Sequence, residues 1–128
     1  MGVLDAAANI ALALCRKGKA AGIHLTAPEC NSLGMALIGG GSIEDAARAI
    51  LTGEAATLVV LENDLYRRAE RSLVDSMLSK AANVIVVDHT FHATAQRADV
   101  LLPAATFAEG DGTMVNNVGS AQRFMQVF

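Results

Sequence analysis

The apolar positions near the N-terminus recur at helical spacing and predict an amphipathic helix over Leu4–Lys17. Asn31 is placed to cap a short helix that runs through Ile38, where three consecutive glycines follow. Ser42 begins a capping-box pattern, so a second helix is expected to start there and to end near Gly53. These segments alternate with apolar runs that have a different period.

Four short apolar runs lack the helical period and predict β-strands. Two of them are apolar on nearly every residue, which is typical of strands covered on both faces, so we expect Thr57–Leu61 and Val84–Val87 to be the central strands. The other two are Gly22–Thr26 and Asp99–Leu102, the latter followed directly by Pro103.

The remaining elements complete an alternating order. An amphipathic helix is predicted between Leu73 and Ala81, and a short helical turn over His92–Arg97. Thr113–Val115 and Ala121–Phe124 are β-prone and separated by turn residues. The alternation predicts an α/β fold: a Rossmann-like parallel sheet of about four strands flanked by helices, with a C-terminal hairpin-like extension. The length predicts a single domain over residues 1–128.

Composition and charge narrow the function classes. Hydrophobic residues make up 52% of the chain and aromatic residues only 4%, so the core must be built from small aliphatic side chains. The net charge of -3 provides no basic surface for nucleic acid. Cys15 and Cys30 lack C-x-x-C spacing, and an iron–sulfur cluster needs about four thiolates, so no cluster is expected here. The N-terminal segment lacks the basic start of a secretion signal, and no run reaches the roughly 18 apolar residues of a membrane span, so we expect a soluble chain.

Polar residues cluster where the predicted strands end. Loops that leave the C-terminal ends of parallel strands meet at one edge of a sheet, which is where α/β proteins place ligand contacts. An ordinary polar surface would have the same composition, so this pattern leaves both interpretations open. The polar residues of these loops are Asn31, Asn63, Asp64, Asp88, Thr94, Glu109, Thr113 and Asn116.

Other candidate chemistry is weaker. Gly39–Gly41 precedes a helix, but Glu44 at that helix start would repel a phosphate, so a flexible connector is the preferred interpretation. His89 and His92 have metal-ligand spacing, but the sequence positions no third ligand. No nucleophile motif or Walker A sequence occurs, so no catalytic residue is predicted.

Three stretches of the chain resemble a known family. ADVLLPAATFAEGDGTMVNNVGSAQ (Ala98–Gln122), LENDLYRRAE (Leu61–Glu70) and VVDHTFHATAQRADV (Val86–Val100) are similar to the molybdopterin oxidoreductase family. The first matches its pattern ADVVLPA-x-x-x-E-x-x-GT-x-x-N-x-EGR-x-Q. Within that family the likeness is greatest to the branch formed by the large peripheral-arm subunits of bacterial NADH-quinone oxidoreductases, or respiratory complex I.

The resemblance implies a position for a ligand. In the pterin-binding members of the family, the strand-end loops contact the dinucleotide end of a molybdopterin cofactor. By this resemblance, a cofactor cleft in the present chain would be lined by Asn31, Asn63, Asp64, Asp88, Thr94, Gly112, Thr113 and Asn116. The chain departs from the pattern at Val118–Ser120, where the family has Glu-Gly-Arg, and at Asp64, where the family has Pro. These departures agree with a complex I branch that has the fold without the molybdenum centre.

The resemblance therefore implies a structural fragment of a larger subunit rather than an enzyme complete in itself. That subunit would pass electrons from NADH toward quinone through iron–sulfur clusters held outside this segment, in the cytoplasm and peripherally attached to the inner membrane. Its partners would be the other domains of the subunit and the other peripheral-arm subunits, with no nucleic acid and no direct membrane insertion. Two alternatives remain: a molybdopterin-dinucleotide-binding segment of a formate dehydrogenase-like molybdoenzyme, and a free-standing nucleotide-binding module.

Overall fold

The computed structural model describes residues 2–27 and 29–128 of the chain. Within these ranges the α-helices are α1 (Gly2–Arg16), α2 (Ser32–Ile38), α3 (Ile43–Thr52) and α4 (Arg71–Lys80). The strands are β1 (Thr57–Leu61), β2 (Asn83–Asp88), β3 (Val100–Pro103), β4 (Gly112–Val115) and β5 (Ala121–Phe124). Short 3-10 turns lie at Leu65–Arg67, Ala95–Arg97 and Phe107–Glu109.

The strands form two sheets, one parallel and one antiparallel. The parallel sheet has the order β1-β2-β3, and β4 and β5 form a separate hairpin. In the parallel sheet Val60 pairs with Val86, which pairs with Leu101. Pro103 pairs with Asp88 at the end of an edge strand, where a missing N–H is tolerated. The predicted α/β class, with its parallel sheet, flanking helices and C-terminal hairpin, is confirmed.

Helix α3 has a defined cap at each end. The Ser42 hydroxyl accepts from the backbone N–H of Asp45, whose carboxylate accepts from the N–H of Ser42, so the predicted capping box is present. Gly53 ends the helix in the left-handed region at φ 82°, where glycine has no Cβ to clash. The caps fix where the helix begins and ends, and its Ala47 and Ile50 side chains are buried in the core.

The core lies between the helices α3 and α4 and one face of the parallel sheet. Val74 and Leu78 of α4 pack with Val84 and Val86 of β2, and Met77 packs against α3. Val74 and Val86 are both fully buried. The opposite face of the sheet is uncovered within the described residues, since Val59 is 55% exposed.

Two details of the predicted sheet are wrong. Residues 22–26 form no β-strand in the part of the chain that the structure describes, so the parallel sheet has three strands. A five-residue apolar run does not specify its own partner, because strand formation depends on hydrogen bonds from a neighbouring strand. β2 is central as predicted, but β1 is an edge strand, and Leu61 on its uncovered face is 66% exposed.

None of the helices described over residues 2–27 and 29–128 is long and apolar enough to cross a membrane.

Candidate functional site

The C-terminal ends of the parallel strands open onto one edge of the sheet, as their common direction requires. The loop after β1 begins at Glu62 and leads into the 3-10 turn at Leu65–Arg67. β2 ends at Asp88, and the loop behind it runs to the turn at Ala95–Arg97. Polar side chains from these two loops form the candidate site.

Thr94 joins the two loops from a fully buried position. Its hydroxyl donates to Asp64 Oδ1 over 2.7 Å and accepts from the backbone N–H of Leu65 over 2.9 Å. The same Asp64 oxygen accepts from the N–H of Tyr66 over 3.3 Å, which caps the turn after β1. Thr94 is 0% exposed, so these bonds are made away from solvent and fix one loop against the other.

Asp88 organises the loop after β2. Its Oδ1 accepts from the backbone N–H of Thr90 over 2.7 Å, and its Oδ2 lies 3.0 Å from His92 Nε2. The other ring nitrogen, Nδ1, accepts from the backbone N–H of Ala95 over 3.2 Å. His92 therefore contacts both ends of its own loop through hydrogen bonds.

The two carboxylates are held in their charged forms. Burial alone would raise the pKa of Asp64, but hydrogen bonds from Thr94 and Tyr66, with His92 nearby, lower the pKa below its ordinary value. Burial likewise opposes ionisation of Asp88, and hydrogen bonds from His92 and Thr90 lower its pKa below the usual range. Both groups are anionic at neutral pH.

A first cavity of about 270 Å³ lies over this network. One of its two arginines is paired: Arg68 Nη2 lies 2.9 Å from Glu29 Oε1, and Arg68 Nε donates to Asn63 Oδ1 over 2.9 Å. The residues that line it are Glu29, Glu62, Asn63, Asp64, Arg67, Arg68, Asp88, His89, Thr90 and His92.

A second cavity of about 340 Å³ lies beside the hairpin, and Glu62 lines both cavities. Glu62 has φ 46°, the left-handed region that side chains other than glycine rarely adopt, among the described residues. Asn31 reaches this second cavity, where its Oδ1 accepts from the N–H of Val115 over 2.8 Å. Gly112 also lines it, and a Cβ at this position would collide with the ring of Phe124.

The structure thus divides the predicted cleft residues into four groups. Asn63, Asp64 and Asp88 line the first cavity; Asn31, Gly112 and Thr113 line the second; and Thr94 lies buried beneath the first. Asn116 lines neither cavity. Its Oδ1 accepts from the N–H groups of Val118 and Ser120, over 3.1 and 2.9 Å, and so closes the hairpin turn.

Several residues of the site had no clear signal in the sequence. Glu29 and Arg68 are far apart in the chain and form an ion pair only in three dimensions. Glu62 has no distinguishing feature in the sequence, because its positive φ is visible only in the structure. A second network, in which Tyr66 donates to Asp75 over 2.6 Å and Arg97 donates to both, depends on a helix and two turns meeting.

Carboxylates outnumber arginines at this edge of the sheet. A pyrophosphate needs cationic or N–H groups to offset its charge. The first cavity presents four carboxylates, and of its two arginines Arg68 is paired with Glu29. The second adds Asp111, and Ser120 lies where the family resemblance implies an arginine.

Known proteins resemble the chain over nearly all of its length. The family model described as Molybdopterin oxidoreductase matches residues 3–128. The G subunit of the NADH-quinone oxidoreductase of Pseudomonas fluorescens is 52% identical over 126 residues, which are 98% of this chain and 14% of that protein. The corresponding G subunit of Escherichia coli strain K12 is 49% identical over 98% of this chain, and that of Shewanella oneidensis is 49% identical over 100% of this chain. Each match covers 14% of the relative's own length.

The chain therefore spans about one seventh of the length of these relatives. The predicted likeness to the complex I branch is confirmed by relatives from several species. From the match over residues 3–128, the chain belongs to the molybdopterin oxidoreductase family.

Proposed function

We propose that the chain is a structural segment of the G subunit in the peripheral arm of an NADH-quinone oxidoreductase. In this role it carries no redox centre and braces the domains that do. The iron–sulfur clusters of the parent subunit lie outside the segment, and the complex lies on the cytoplasmic side of the inner membrane. The other domains of the subunit and the neighbouring peripheral-arm subunits are its partners.

The observation that carries the proposal is how the cleft residues use their hydrogen bonds. Thr94 gives its only proton to Asp64 and accepts from Leu65, so its hydroxyl is committed within the protein. Asp88 is bonded to Thr90 and His92. These side chains hold loops together, which is the work of a scaffold rather than of a ligand site.

The charges of the cavities support the same conclusion. Glu62 lines both cavities, and Asp64 and Asp88 have lowered pKa values that keep them anionic beside the first. A ligand with two phosphates would meet repulsion from these carboxylates at short range. The two cysteines, Cys15 and Cys30, are both exposed and fall short of the roughly four thiolates that a cluster requires.

A replacement experiment tests the proposal in a working complex. The matching segment of the Escherichia coli G subunit, which is 49% identical, is replaced by this chain in a strain that lacks its own subunit. We expect the complex to assemble and membranes to oxidise NADH with quinone reduction, because the segment contributes shape rather than chemistry. Assembly is read from co-purification of the other subunits.

A matched variant makes the result specific. Val86 is fully buried in the central strand, so Val86→Asp in the replaced segment is expected to abolish assembly. Val59→Asp changes the same residue type on the exposed face of the edge strand and serves as the control for a carboxylate in the sheet. Failure of the unmodified segment to support assembly, with correct expression of the subunit, would contradict the proposal.

A further inference from the structure

Residues 22–26 have the composition of a β-strand but no partner strand in this chain. The segment reads Gly-Ile-His-Leu-Thr, and its β-branched residues, Ile23 and Thr26, are typical of strands. The structure gives it no regular secondary structure and leaves all five residues exposed. Within residues 2–27 and 29–128, none of its backbone N–H or C=O groups is hydrogen-bonded to the protein. These groups are therefore available to another strand.

The segment also lacks the features that keep an exposed strand from pairing. Proteins protect such strands with charged side chains, with proline or with a covering element. Residues 22–26 contain no Lys, Arg, Asp, Glu or Pro. Ile23 is 48% exposed and Leu25 59% exposed, so the segment presents apolar side chains together with unpaired backbone groups. This combination is typical of a strand that is covered by protein rather than of a solvated loop.

An apolar groove of about 340 Å³ lies between α1 and residues 21–24. The α1 side of the groove is lined by Ala7, Ile10, Ala11 and Leu14, which recur at the spacing of one helix face. No described residue of α1 is buried, and Ile10 is 63% exposed. Because the apolar stripe of a helix has to be buried against another element, the groove beside the segment also needs a cover.

The chain is held in place on both sides of the segment. Upstream, the N–H of Lys19 donates to the C=O of Leu14 over 3.0 Å. Downstream, Glu29 forms its ion pair with Arg68, and Asn31 accepts from the N–H of Val115. A partner strand would therefore bind a segment whose ends are already positioned, which lowers the entropic cost of pairing.

We propose that residues 22–26 pair, as a β-strand, with a strand from the part of the parent subunit that lies outside this chain. The side chains of that strand close the groove beside α1. This inference rests on the proposed function, in which the chain is one segment of a G subunit. Each match to the relatives covers 14% of their length, so most of such a subunit lies outside the match and can supply the strand. The family match includes α1 from residue 3 and the whole segment.

A second copy of the chain fits this site less well. A strand of five residues is only about 17 Å long, and an isolated pair of strands is marginally stable in water. A stable interface between separate proteins buries roughly 800 Å² on each partner, which one short strand does not provide. A strand of the same polypeptide needs no such area, because tethering gives it an effective concentration in about the millimolar range.

Hydrogen exchange followed by mass spectrometry tests the pairing. The purified full parent subunit is compared with the 128-residue chain, and the amides of β2 serve as the internal control for a folded sheet. We expect the amides of residues 22–26 to exchange at least about a hundredfold more slowly in the parent subunit than in the chain. Rapid exchange in the parent subunit would overturn the proposal. Equal protection in both samples would also overturn it, because the partner would then lie within this chain.

Photo-cross-linking in the full parent subunit identifies the partner without the isolated chain. p-Benzoylphenylalanine is placed at Ile23, which lines the groove, and cross-linked peptides are identified against a sample kept in the dark. We expect peptides from outside residues 1–128. Cross-links confined to residues 1–128, or to a second copy of the subunit, would overturn the proposal. Assembly after segment replacement tests the proposed function separately, so an assembled complex with residues 22–26 unprotected would contradict this inference alone.

Discussion

Replacement of Thr94 by valine isolates the contribution of the bond network to stability. The substitution keeps the β-branched shape of the side chain and removes the hydroxyl, which is 0% exposed. Two partners lose their bonds: Asp64 loses a donor at 2.7 Å, and the N–H of Leu65 loses an acceptor at 2.9 Å. No solvent reaches this position to replace either one.

The expected magnitude follows from the two lost bonds. A hydrogen bond to a charged group contributes about 1.5–3 kcal/mol and a neutral one about 0.5–1.5 kcal/mol. The added methyl group of valine offsets part of this loss through apolar burial, by about 0.8 kcal/mol. We therefore expect Thr94→Val to lower the free energy of unfolding by about 2–3 kcal/mol.

Urea denaturation at pH 7, followed by circular dichroism, measures this change against a matched control. Thr113→Val makes the same chemical change at an exposed position on β4, and the structure shows no side-chain hydrogen bond for Thr113 within the described residues. The control is expected to stay within about 0.5 kcal/mol of the unmodified chain. Equal stability of the two variants, or no loss in Thr94→Val, would refute a network that holds the loops.

Four further outcomes are expected. Val86→Asp should lose several kcal/mol and fail to melt cooperatively, whereas Val59→Asp, at a 55% exposed position, should stay folded; the reverse order by calorimetry would place β2 at an edge. Asn116 is exposed, so Asn116→Ala should cost only about 0.5–1.5 kcal/mol, since water can replace the acceptor that two backbone N–H groups lose; a loss of several kcal/mol would contradict this. The folded-state pKa values of Asp64 and Asp88 are lowered, so the stability that these two carboxylates contribute should be complete above about pH 4 and be lost as the pH falls through the folded-state pKa values. A free energy of unfolding that does not fall in acid would argue against the network. The purified chain should be colourless and inactive with NADH, which absorbance and turnover assays check.

Local patterns were enough to predict most of the elements. Ser42 and Gly53 carry capping signals that depend only on nearby residues, and both ends of that helix are where the sequence indicated. Residues 22–26 were misassigned because a strand also needs a partner, and pairing is set by the whole sheet. β1 has the same apolar pattern as β2, but its edge position follows from sheet order, which no local pattern contains.

The site was predictable in position but not in its contacts. Parallel topology brought Asp64 and Asp88 to one edge, as the sequence indicated. That Thr94 would be buried and bonded to Asp64 depends on the exact length of two loops, which are 30 residues apart in the chain. Asn116 lies in a stretch of sequence that is typical of both a ligand loop and a hairpin turn, and the structure places Asn116 in the turn.

Elemental analysis of the full parent subunit, expressed in a host that makes molybdopterin, tests the central claim most directly. The chain is proposed to have the family fold with a cleft whose carboxylates and internal hydrogen bonds exclude an anionic pterin dinucleotide. We expect iron in the purified subunit and no stoichiometric molybdenum or tungsten. One molybdenum or tungsten per subunit would contradict it and would favour a formate dehydrogenase-like molybdoenzyme.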